Sequence, residues 1–308
     1  MKIYKKEITD NYSVEVLPST KIKKDYLLSN EMLVDQGDYL DFVLSKKEKI
    51  KVTLTLAVKG SQAISLPQAP FGGFWTEEMI NSETAEFFIS QVEELLKSRG
   101  VKSLTIHQAP KPYQRCHDLF SFLLFQNGYV AENMSAHQFF IGKKKIKKLS
   151  QHDHAKFTKK LSQGSLELYC GAIQNFTFLQ QIRDWNRSKG YEVNLQESRL
   201  IYQVSEFPER YFLITLSRDG VAIAHTLAVK LTQDSLYYYQ SAIDPKVTLK
   251  NLGDLLLMRL FQLAVDEKVE FIDLGTSELS TGANHSLMFF KSRFSNDIST
   301  KLTWTKSL

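Results

Sequence analysis

The second half of the chain alternates short β-rich runs with apolar helical stretches. Asp219-Gly220 separates two of the β-rich runs, and this dipeptide is typical of a two-residue β-hairpin turn. An apolar stretch with the helical period begins near residue 252. The pattern predicts strand, strand, strand, helix, strand, helix and strand at residues 211–217, 221–231, 236–243, 252–267, 270–274, 284–293 and 298–304.

The first half has the same order of elements. Its main helix carries an apolar stripe that includes Phe88, Val92 and Leu96, and Gly100 ends it. The predicted strands and helices lie at residues 37–45, 50–58, 61–66, 82–98 (helix), 101–106, 113–126 (helix) and 129–141.

Three elements keep one offset between the halves. The main helix begins at 82 and 252, the next strand at 101 and 270, and the last strand at 129 and 298, an offset of about 170 residues. The repeat predicts an α+β protein of two tandem domains, residues 1–142 and 143–308, each a mixed, mostly antiparallel sheet flanked by helices. Chains of this class also alternate in this way without duplication, which is the alternative.

Composition narrows the class of protein. The chain has 308 residues, 43% hydrophobic and 24% charged, as expected for one large or two modest globular domains. Apolar runs stay well below the roughly 20 residues of a membrane helix, and no apolar block follows the N-terminal lysines as in a signal peptide. Two cysteines cannot form a disulfide framework, so we expect a cytoplasmic protein. The net charge of +5 permits an anionic ligand.

Three short stretches carry a resemblance to a known superfamily. They are PFGGF at 70–74, LGDLL at 252–256, and FIDLG at 271–275 followed by FKSRF at 290–294. Together with the order of elements, they resemble the GNAT acyltransferase fold. The duplicated form resembles the FemABX-like aminoacyltransferases and the BioF2-like acetyltransferase domain. The resemblance implies a transferase with two GNAT-like domains, and an N-acyltransferase activity.

The resemblance also implies a donor, acyl-CoA, with acetyl-CoA as the first choice. A helix N-terminus offers unpaired N–H groups to a phosphate, so we expect the donor where the second main helix begins. The first main helix starts with an ordinary N-cap and an acidic turn, which leaves the second copy as the donor domain. The acceptor amine is expected between the two domains. The cofactor-binding candidates are Lys250, Asn251, Leu252, Gly253 and Asp254.

Two other functions remain open. A FemABX-like enzyme would use aminoacyl-tRNA on a peptidoglycan-type precursor. A degenerate GNAT-like protein would bind a ligand without catalysis, since the turn before the second main helix has a single glycine, Gly253.

Amine attack on a thioester needs a stabilised oxyanion and a protonated leaving group. Lys291 lies where many enzymes of the fold that the chain resembles place a tyrosine as general acid. A lysine there could stabilise an oxyanion or a donor phosphate, and it would be an acid only if desolvation lowered its pKa. A surface lysine at a helix end is the alternative. Asp273 would either accept a proton from the amine or cap its loop. Tyr239 shares one side of a strand with Tyr237, and one side of that strand is expected to line the acceptor site. The catalytic candidates are therefore Lys291, Asp273 and Tyr239.

Gly72, Gly73, Phe74 and Trp75 are candidates for substrate binding, because glycines let a backbone approach a ligand and aromatic rings give flat contact area. A tight loop with core aromatics would give the same pattern. His285 is a further substrate-binding candidate at the start of the last helix. His225 lies on the apolar face of its strand, which favours a buried and satisfied histidine.

A lysine run at residues 143–160 permits tRNA as a partner, and a solvated helical or mobile connector explains it equally well. His152-Asp153-His154 lacks further ligands at a metal-binding spacing, so we expect no metal.

Overall fold

The structure is a computed structural model that describes residues 5–8, 12–19, 37–67, 69–152, 154–191, 196–279 and 282–308. It divides into two units. Unit 1 holds the described residues up to Ala136 and also Ser299–Leu308, whereas unit 2 is His137–Ile298.

The elements, in chain order, are β1 (Lys5–Ile8), β2 (Tyr12–Pro18), β3 (Asp38–Lys46), β4 (Lys49–Lys59), β5 (Gln62–Ser65), β6 (Phe74–Thr76), α1 (Ser82–Lys97), β7 (Ser103–His107), α2 (His117–Gln126), β8 (Val130–Ile141), α3 (Lys143–His152), α4 (His154–Gln163), β9 (Leu166–Ala172), α5 (Thr177–Arg187), α6 (Glu197–Glu206), β10 (Tyr211–Arg218), β11 (Val221–Val229), β12 (Ser235–Ile243), α7 (Leu252–Asp266), β13 (Phe271–Asp273), β14 (Glu278–Leu279), β15 (Gly282–Ala283), α8 (His285–Ser292) and β16 (Asp297–Ser307). Two 3-10 turns cover Lys111–Tyr113 and Pro208–Arg210.

Unit 1 is a mixed sheet with the strand order β1, β2, β3, β4, β5, β7, β16, and β6 pairs with β4. Helix α1 begins at Ser82 because the Asn81 side chain accepts the Thr84 N–H at 2.8 Å. Its apolar stripe, which includes Phe88 and Leu96, lies in the core of the unit. The helix joins β5 to β7, and these two strands are parallel, as a helical crossover requires.

Unit 2 repeats that crossover. Its strands follow the order β8, β13, β12, β11, β10, β9. Helix α7 joins the parallel strands β12 and β13 and packs on β10, β11, β12 and β13. Leu256, Leu257 and Leu260 of α7 are fully buried. The β10–β11 hairpin turns at Asp219 and Gly220, which both have positive φ as a type I′ turn requires.

The predicted strands and helices agree with the structure over most of both halves, and the mixed α/β fold class is confirmed. The helix predicted at 113–126 begins later, at His117, after a 3-10 turn. Small side chains on β11 let α7 approach the sheet closely, because Ala224 and Ala228 lie in the core cluster of α7.

The last strand departs from the predicted division of the chain. The predicted second domain, 143–308, ends with this strand, whereas β16 pairs with β7 in unit 1, with Thr303 opposite His107 and Trp304 opposite Ile106. Unit 2 also begins earlier, at His137. The division into two GNAT-like copies with a boundary at 142/143 stays a prediction.

Residues 143–206 carry more structure than the sequence indicated. The lysine run forms α3 and α4, and their apolar residues Ile146 and Phe157 belong to the core of unit 2. The sequence pattern also did not predict β9, α5 or α6. Within the described residues, no helix is long and apolar enough to cross a membrane. Cys116 and Cys170 are both free thiols, the first buried and the second half-buried.

Candidate functional site

The strands β12 and β13 of unit 2 pair over three residues and then separate. Ser235, Leu236 and Tyr237 pair with Phe271, Ile272 and Asp273. The β11–β12 register shifts directly after Tyr237 and Tyr238, which leaves Tyr239 as an extra residue in a β-bulge. Polar side chains collect at this point.

Asp273, the last residue of β13, is fully buried and held from two sides. Its carboxylate accepts the Gly275 N–H at 2.7 Å. His137 of β8 places its Nδ1 3.1 Å from Oδ1 and 3.2 Å from Oδ2. Asp273 thus caps its loop, as one of the two interpretations predicted, and also binds a histidine that the sequence did not single out.

Gly275 has a positive φ of 72°, which favours glycine, and it lies against Tyr237. A Cβ at this position would lie 3.2 Å from Cε2 of the Tyr237 ring. The ring therefore fits above the Asp273 loop only because position 275 has no side chain.

Lys291 of α8 is a buried lysine, with 3% of its surface exposed. Its Nζ donates to the carbonyl oxygen of Thr276 at 2.5 Å. Burial lowers the pKa of Lys291 to about 8, although the charges of Asp273 and Glu278 act in the opposite direction. Desolvation therefore supplies the condition under which this lysine can release a proton near neutral pH. Its catalytic role stays a prediction.

The three tyrosines of β12 alternate across the sheet as predicted. The rings of Tyr237 and Tyr239 lie 5.8 Å apart on one side, whereas Tyr238 packs against the core cluster of α7. Burial and the charge of Asp273 raise the pKa of Tyr237, and burial raises that of Tyr239. Both phenols therefore keep their protons at neutral pH and can donate hydrogen bonds. A catalytic role for Tyr239 stays a prediction.

The start of α7 follows the separating end of β12. Asn251 has left-handed backbone angles (φ 65°) and its side chain makes no capping bond within the described structure. In the first turn, Asp254 Oδ1 lies 2.8 Å from Arg293 Nη2 and Asp254 Oδ2 lies 4.0 Å from Lys160 Nζ. These two cations offset the charge of Asp254. Lys250 is exposed, whereas the Leu252 side chain is buried in the core. Donor binding by residues 250–254 stays a prediction.

Gly253 has a packing explanation. A Cβ at this position would lie 3.0 Å from Cζ of Phe290 in α8. The glycine therefore lets α8 approach α7, and a phosphate is not needed to explain it.

The first-half glycines hold a tight loop in unit 1. Gly72 donates its N–H to the His107 carbonyl at 2.7 Å and accepts the Gln114 side-chain amide at 2.9 Å. Gly73 has φ 91°, and a Cβ there would lie 3.0 Å from the Gln114 Nε2. Both residues are buried, so the structural alternative accounts for them.

Phe74 lies in the core of unit 1 and stacks on Phe120, with ring centroids 4.1 Å apart and an interplanar angle of 2°. Trp75 is half-buried, and the centroid of its ring lies 6.4 Å from that of Phe71. His285 is exposed at the start of α8, after Asn284, whose side chain accepts the Leu287 N–H at 3.0 Å. Substrate binding by Gly72, Gly73, Phe74, Trp75 and His285 stays a prediction.

His225 is buried and satisfied, as predicted. Its Nε2 donates to Gln181 Oε1 at 2.9 Å, its Nδ1 lies 2.9 Å from Thr215 Oγ1, and its ring stacks on Trp185. Burial lowers the pKa of His225 to about 4. The imidazole is therefore neutral at physiological pH.

Acid should destabilise the protein through His225. Between pH 6.5 and about 4 the unfolded chain binds the proton that the folded chain excludes, so stability is lost as the pH falls through this window. The full effect is about 3 kcal/mol. Because Asn does not titrate, the free energy of unfolding of His225→Asn, measured in urea from about pH 7 to 4, should depend less steeply on pH. A wild-type slope in this variant would contradict the assignment.

The lysine run at 143–160 and the stretch His152-Asp153-His154 are the sequence candidates for tRNA and metal binding. In the described part of the chain, no three His, Cys, Asp or Glu side chains form a metal-binding group, and Asp153 lies outside that part. The lysines of α3 are exposed around the buried Ile146, which leaves a basic surface on this helix.

His137 is the residue that sequence reasoning missed. It lies two residues before the buried Phe139 on the same face of β8, and the two rings stack 6.0 Å apart. The available signal is a polar residue on the apolar face of a strand, which His137 shows as His225 does.

Known proteins resemble this arrangement. Residues 162–285 match the family model described as an acetyltransferase (GNAT) domain. The matched residues all lie in unit 2. The site at the end of β13 lies in and next to the matched residues, and the resemblance that the sequence predicted is confirmed. No curated protein matches the chain.

Several solved structures share the fold of this chain, over the residues matched by the family model and over those that flank them. FemX is 10% identical, with a TM-score of 0.61 and 88% of each chain covered. L-PGS from Bacillus licheniformis is 13% identical, with a TM-score of 0.54, 97% of this chain and 93% of that chain covered. A tandem GNAT protein from the clavulanic acid biosynthesis pathway is 13% identical, with a TM-score of 0.52, 87% and 82% covered. These likenesses show a GNAT acyltransferase-type fold.

Proposed function

We propose that the protein is an N-acyltransferase that moves an acyl group from acyl-CoA, in the first place acetyl-CoA, to an amine. The observation that carries the proposal is Lys291. Its buried ammonium has a pKa lowered to about 8 and lies next to the loop of Asp273, where β12 and β13 of the GNAT domain separate. A proton donor of this pKa suits a thiolate leaving group at neutral pH.

The donor phosphates would bind at the start of α7. The first N–H groups of this 15-residue helix lack an Asn251 side-chain cap within the described structure, and the positive end of the helix favours an anion. Lys250 is exposed beside them, and Arg293 and Lys160 offset the charge of Asp254. The gap after Tyr237, where β13 no longer pairs with β12, is the proposed path of the acyl chain.

The reaction uses the same end of the sheet. The amine attacks the thioester carbonyl, and Lys291 protonates the departing thiolate. Asp273 stabilises the lysine charge and orients its neighbours, because its carboxylate is fixed by Gly275 and His137. Tyr237 and Tyr239, which keep their protons, would donate hydrogen bonds on the acceptor side. We keep the two-domain division at 142/143, with the donor in the second domain, as part of the proposal.

A charge at residue 251 tests the donor site. Asn251→Asp keeps a residue that tolerates left-handed angles and puts a carboxylate at the start of α7. It should weaken acetyl-CoA binding about tenfold by repelling phosphate, while the helix dipole leaves stability unchanged or slightly higher. Calorimetry with acetyl-CoA measures the first quantity, and urea unfolding the second.

Asn284→Asp is the matched control. It makes the same change at the N-cap of α8, where Asn284 caps the helix, and should leave the acetyl-CoA affinity unaltered. Equal affinities in wild type and both variants would place the donor elsewhere. Absence of acetyl-CoA binding by the wild type would refute the acyl-CoA proposal.

Aminoacyl-tRNA is the second candidate donor, with a peptidoglycan-type precursor as acceptor. The exposed lysines of α3 favour it, since this helix carries no acidic residue. Binding of charged tRNA that weakens steeply with salt, together with no affinity for acetyl-CoA, would support this candidate. Binding of acetyl-CoA without thiol release, with every amine tested, would instead indicate a non-catalytic GNAT-like protein.

A further inference from the structure

One nitrogen of the His137 ring is buried without a partner. The residue is 4% exposed, and its Nδ1 faces the Asp273 carboxylate at 3.1 Å. Its Nε2 has no hydrogen-bond partner among the described residues. An unpaired buried polar atom destabilises a fold and is uncommon in native proteins, so this nitrogen needs an explanation.

Asp273 decides which ring nitrogen carries the hydrogen. A carboxylate only accepts hydrogen bonds, so the neutral imidazole must present Nδ1–H to it and keep a free lone pair on Nε2. The carboxylate cannot turn away, because the Gly275 N–H holds it at 2.7 Å. His137 Nε2 is therefore a hydrogen-bond acceptor whose lone pair has a fixed direction. A ligand that pairs with it must donate a hydrogen bond.

The sheet places this acceptor on the tyrosine side. Asp273 pairs with Tyr237 on one flank and with Phe139 on the other, so these residues and His137 share one face. Gln138 has an unpaired Oε1 as well, but it points to the opposite face and its amide donates to the Met288 carbonyl. Among the described residues, His137 Nε2 is thus an unpaired acceptor on the face where the proposed amine would bind.

We propose that His137 Nε2 is the general base that takes the proton of the acceptor amine. This inference rests on the proposed function. The amine nitrogen forms a bond to the thioester carbonyl carbon, and its extra proton moves to Nε2. The C–S bond breaks, and the CoA sulfur takes a proton from Lys291. Transfer of one proton from the imidazolium to the neutral lysine through solvent restores both groups.

In this scheme Asp273 acts on both His137 and Lys291. It holds the tautomer that leaves Nε2 free, and its charge stabilises the imidazolium that forms. The same carboxylate attracts the Lys291 ammonium. The proposed base and the proposed acid therefore both depend on the Asp273 carboxylate.

The test uses His137→Asn in the full-length protein. The Asn amide nitrogen takes the place of Nδ1 and still donates to Asp273, but nothing replaces Nε2. Thiol release from acetyl-CoA is followed with L-lysine, spermidine and hydroxylamine as acceptors, after subtraction of the reaction without enzyme. With the two alkyl amines the variant should lose at least about 100-fold in kcat/KM. The loss with hydroxylamine should be less than about tenfold. After hydroxylamine attacks, its positively charged nitrogen is far more acidic than that of an alkyl amine, so water removes the proton readily without an enzyme base.

His225→Asn is the matched control, since it makes the same change at a buried histidine with both nitrogens paired, and it should leave transfer unchanged. Equal losses with all acceptors in His137→Asn would indicate a structural role and overturn the base. A wild type without thiol release for any acceptor would instead overturn the proposed function. Independently of transfer, the ¹⁵N NMR spectrum of the His137 ring should show a protonated Nδ1 and a bare Nε2, and the reverse tautomer excludes the base.

Discussion

Replacing Lys291 by Met should abolish transfer and stabilise the protein at the same time. Without its proton donor the enzyme should lose about 10²–10⁴-fold in kcat with acetyl-CoA and an amine. The folded chain meanwhile no longer has to bury an ammonium that is 3% exposed. Thiol release and urea unfolding on the same preparation measure both effects.

The sign of the stability change follows from the lowered pKa. The pKa of Lys291 falls from 10.5 to about 8 on folding, so between these values the unfolded chain binds more protons and stability rises with pH. Below pH 8 the whole cost, about 3 kcal/mol, is present in the wild type. The lost hydrogen bond to Thr276 offsets about 1 kcal/mol of the gain. Lys291→Met should therefore be about 1–2 kcal/mol more stable at neutral pH, and the advantage should shrink from pH 8 to 10.5.

Two further variants separate charge from proton transfer. Lys291→Arg keeps a cation that cannot release its proton, so it should stay inactive if the lysine is an acid and recover activity if only its charge matters. Lys230→Met removes a lysine that pairs with Glu267 at 3.0 Å, and it should lose stability and keep activity. A Lys291→Met enzyme with wild-type turnover would end the proposed role.

Replacing Phe74 by Ala should cost about 3–5 kcal/mol of unfolding free energy. The ring is 1% exposed, stacks on Phe120 and contacts Phe88 edge-on, so its removal leaves a cavity in the core of unit 1. Guanidinium unfolding measures the change. The affinity for acetyl-CoA should not change under conditions where the variant is folded.

Phe125→Ala is the control for that measurement. Phe125 belongs to α2 of the same unit but is 66% exposed, so its removal should alter the unfolding free energy by less than about 0.5 kcal/mol. A Phe74→Ala protein of near wild-type stability but with a raised KM for the acceptor would support the ligand-binding interpretation of the PFGGF loop.

The sequence predicted what local periodicity encodes. The hairpin at Asp219-Gly220 and the crossover helices α1 and α7 were found because turn chemistry and apolar stripes act over a few residues. Helix α6 was missed because its apolar positions are sparse, with Leu200 and Val204 as its buried apolar residues. Helix α5 does carry an apolar stripe at helical spacing, with Phe178, Leu179 and Ile182 buried, so periodicity alone indicates it. The site shows the same division. Lys291 and Asp273 are candidates that motifs indicated, whereas the contact between Asp273 and His137 joins residues 136 positions apart and is visible only once the sheet is formed.

The place of β16 in unit 1 has a consequence for synthesis of the chain. The strand next to β7 follows the whole of unit 2 in the chain, and its Trp304 Nε1 donates to Gln108 Oε1 at 2.8 Å. The N-terminal sheet therefore waits for the whole of unit 2 to be translated before its edge at β7 is covered. During that interval β7 exposes an unpaired strand edge, the kind of surface that chaperones protect and that promotes aggregation. Unit 1 is thus completed only after unit 2 has been synthesised.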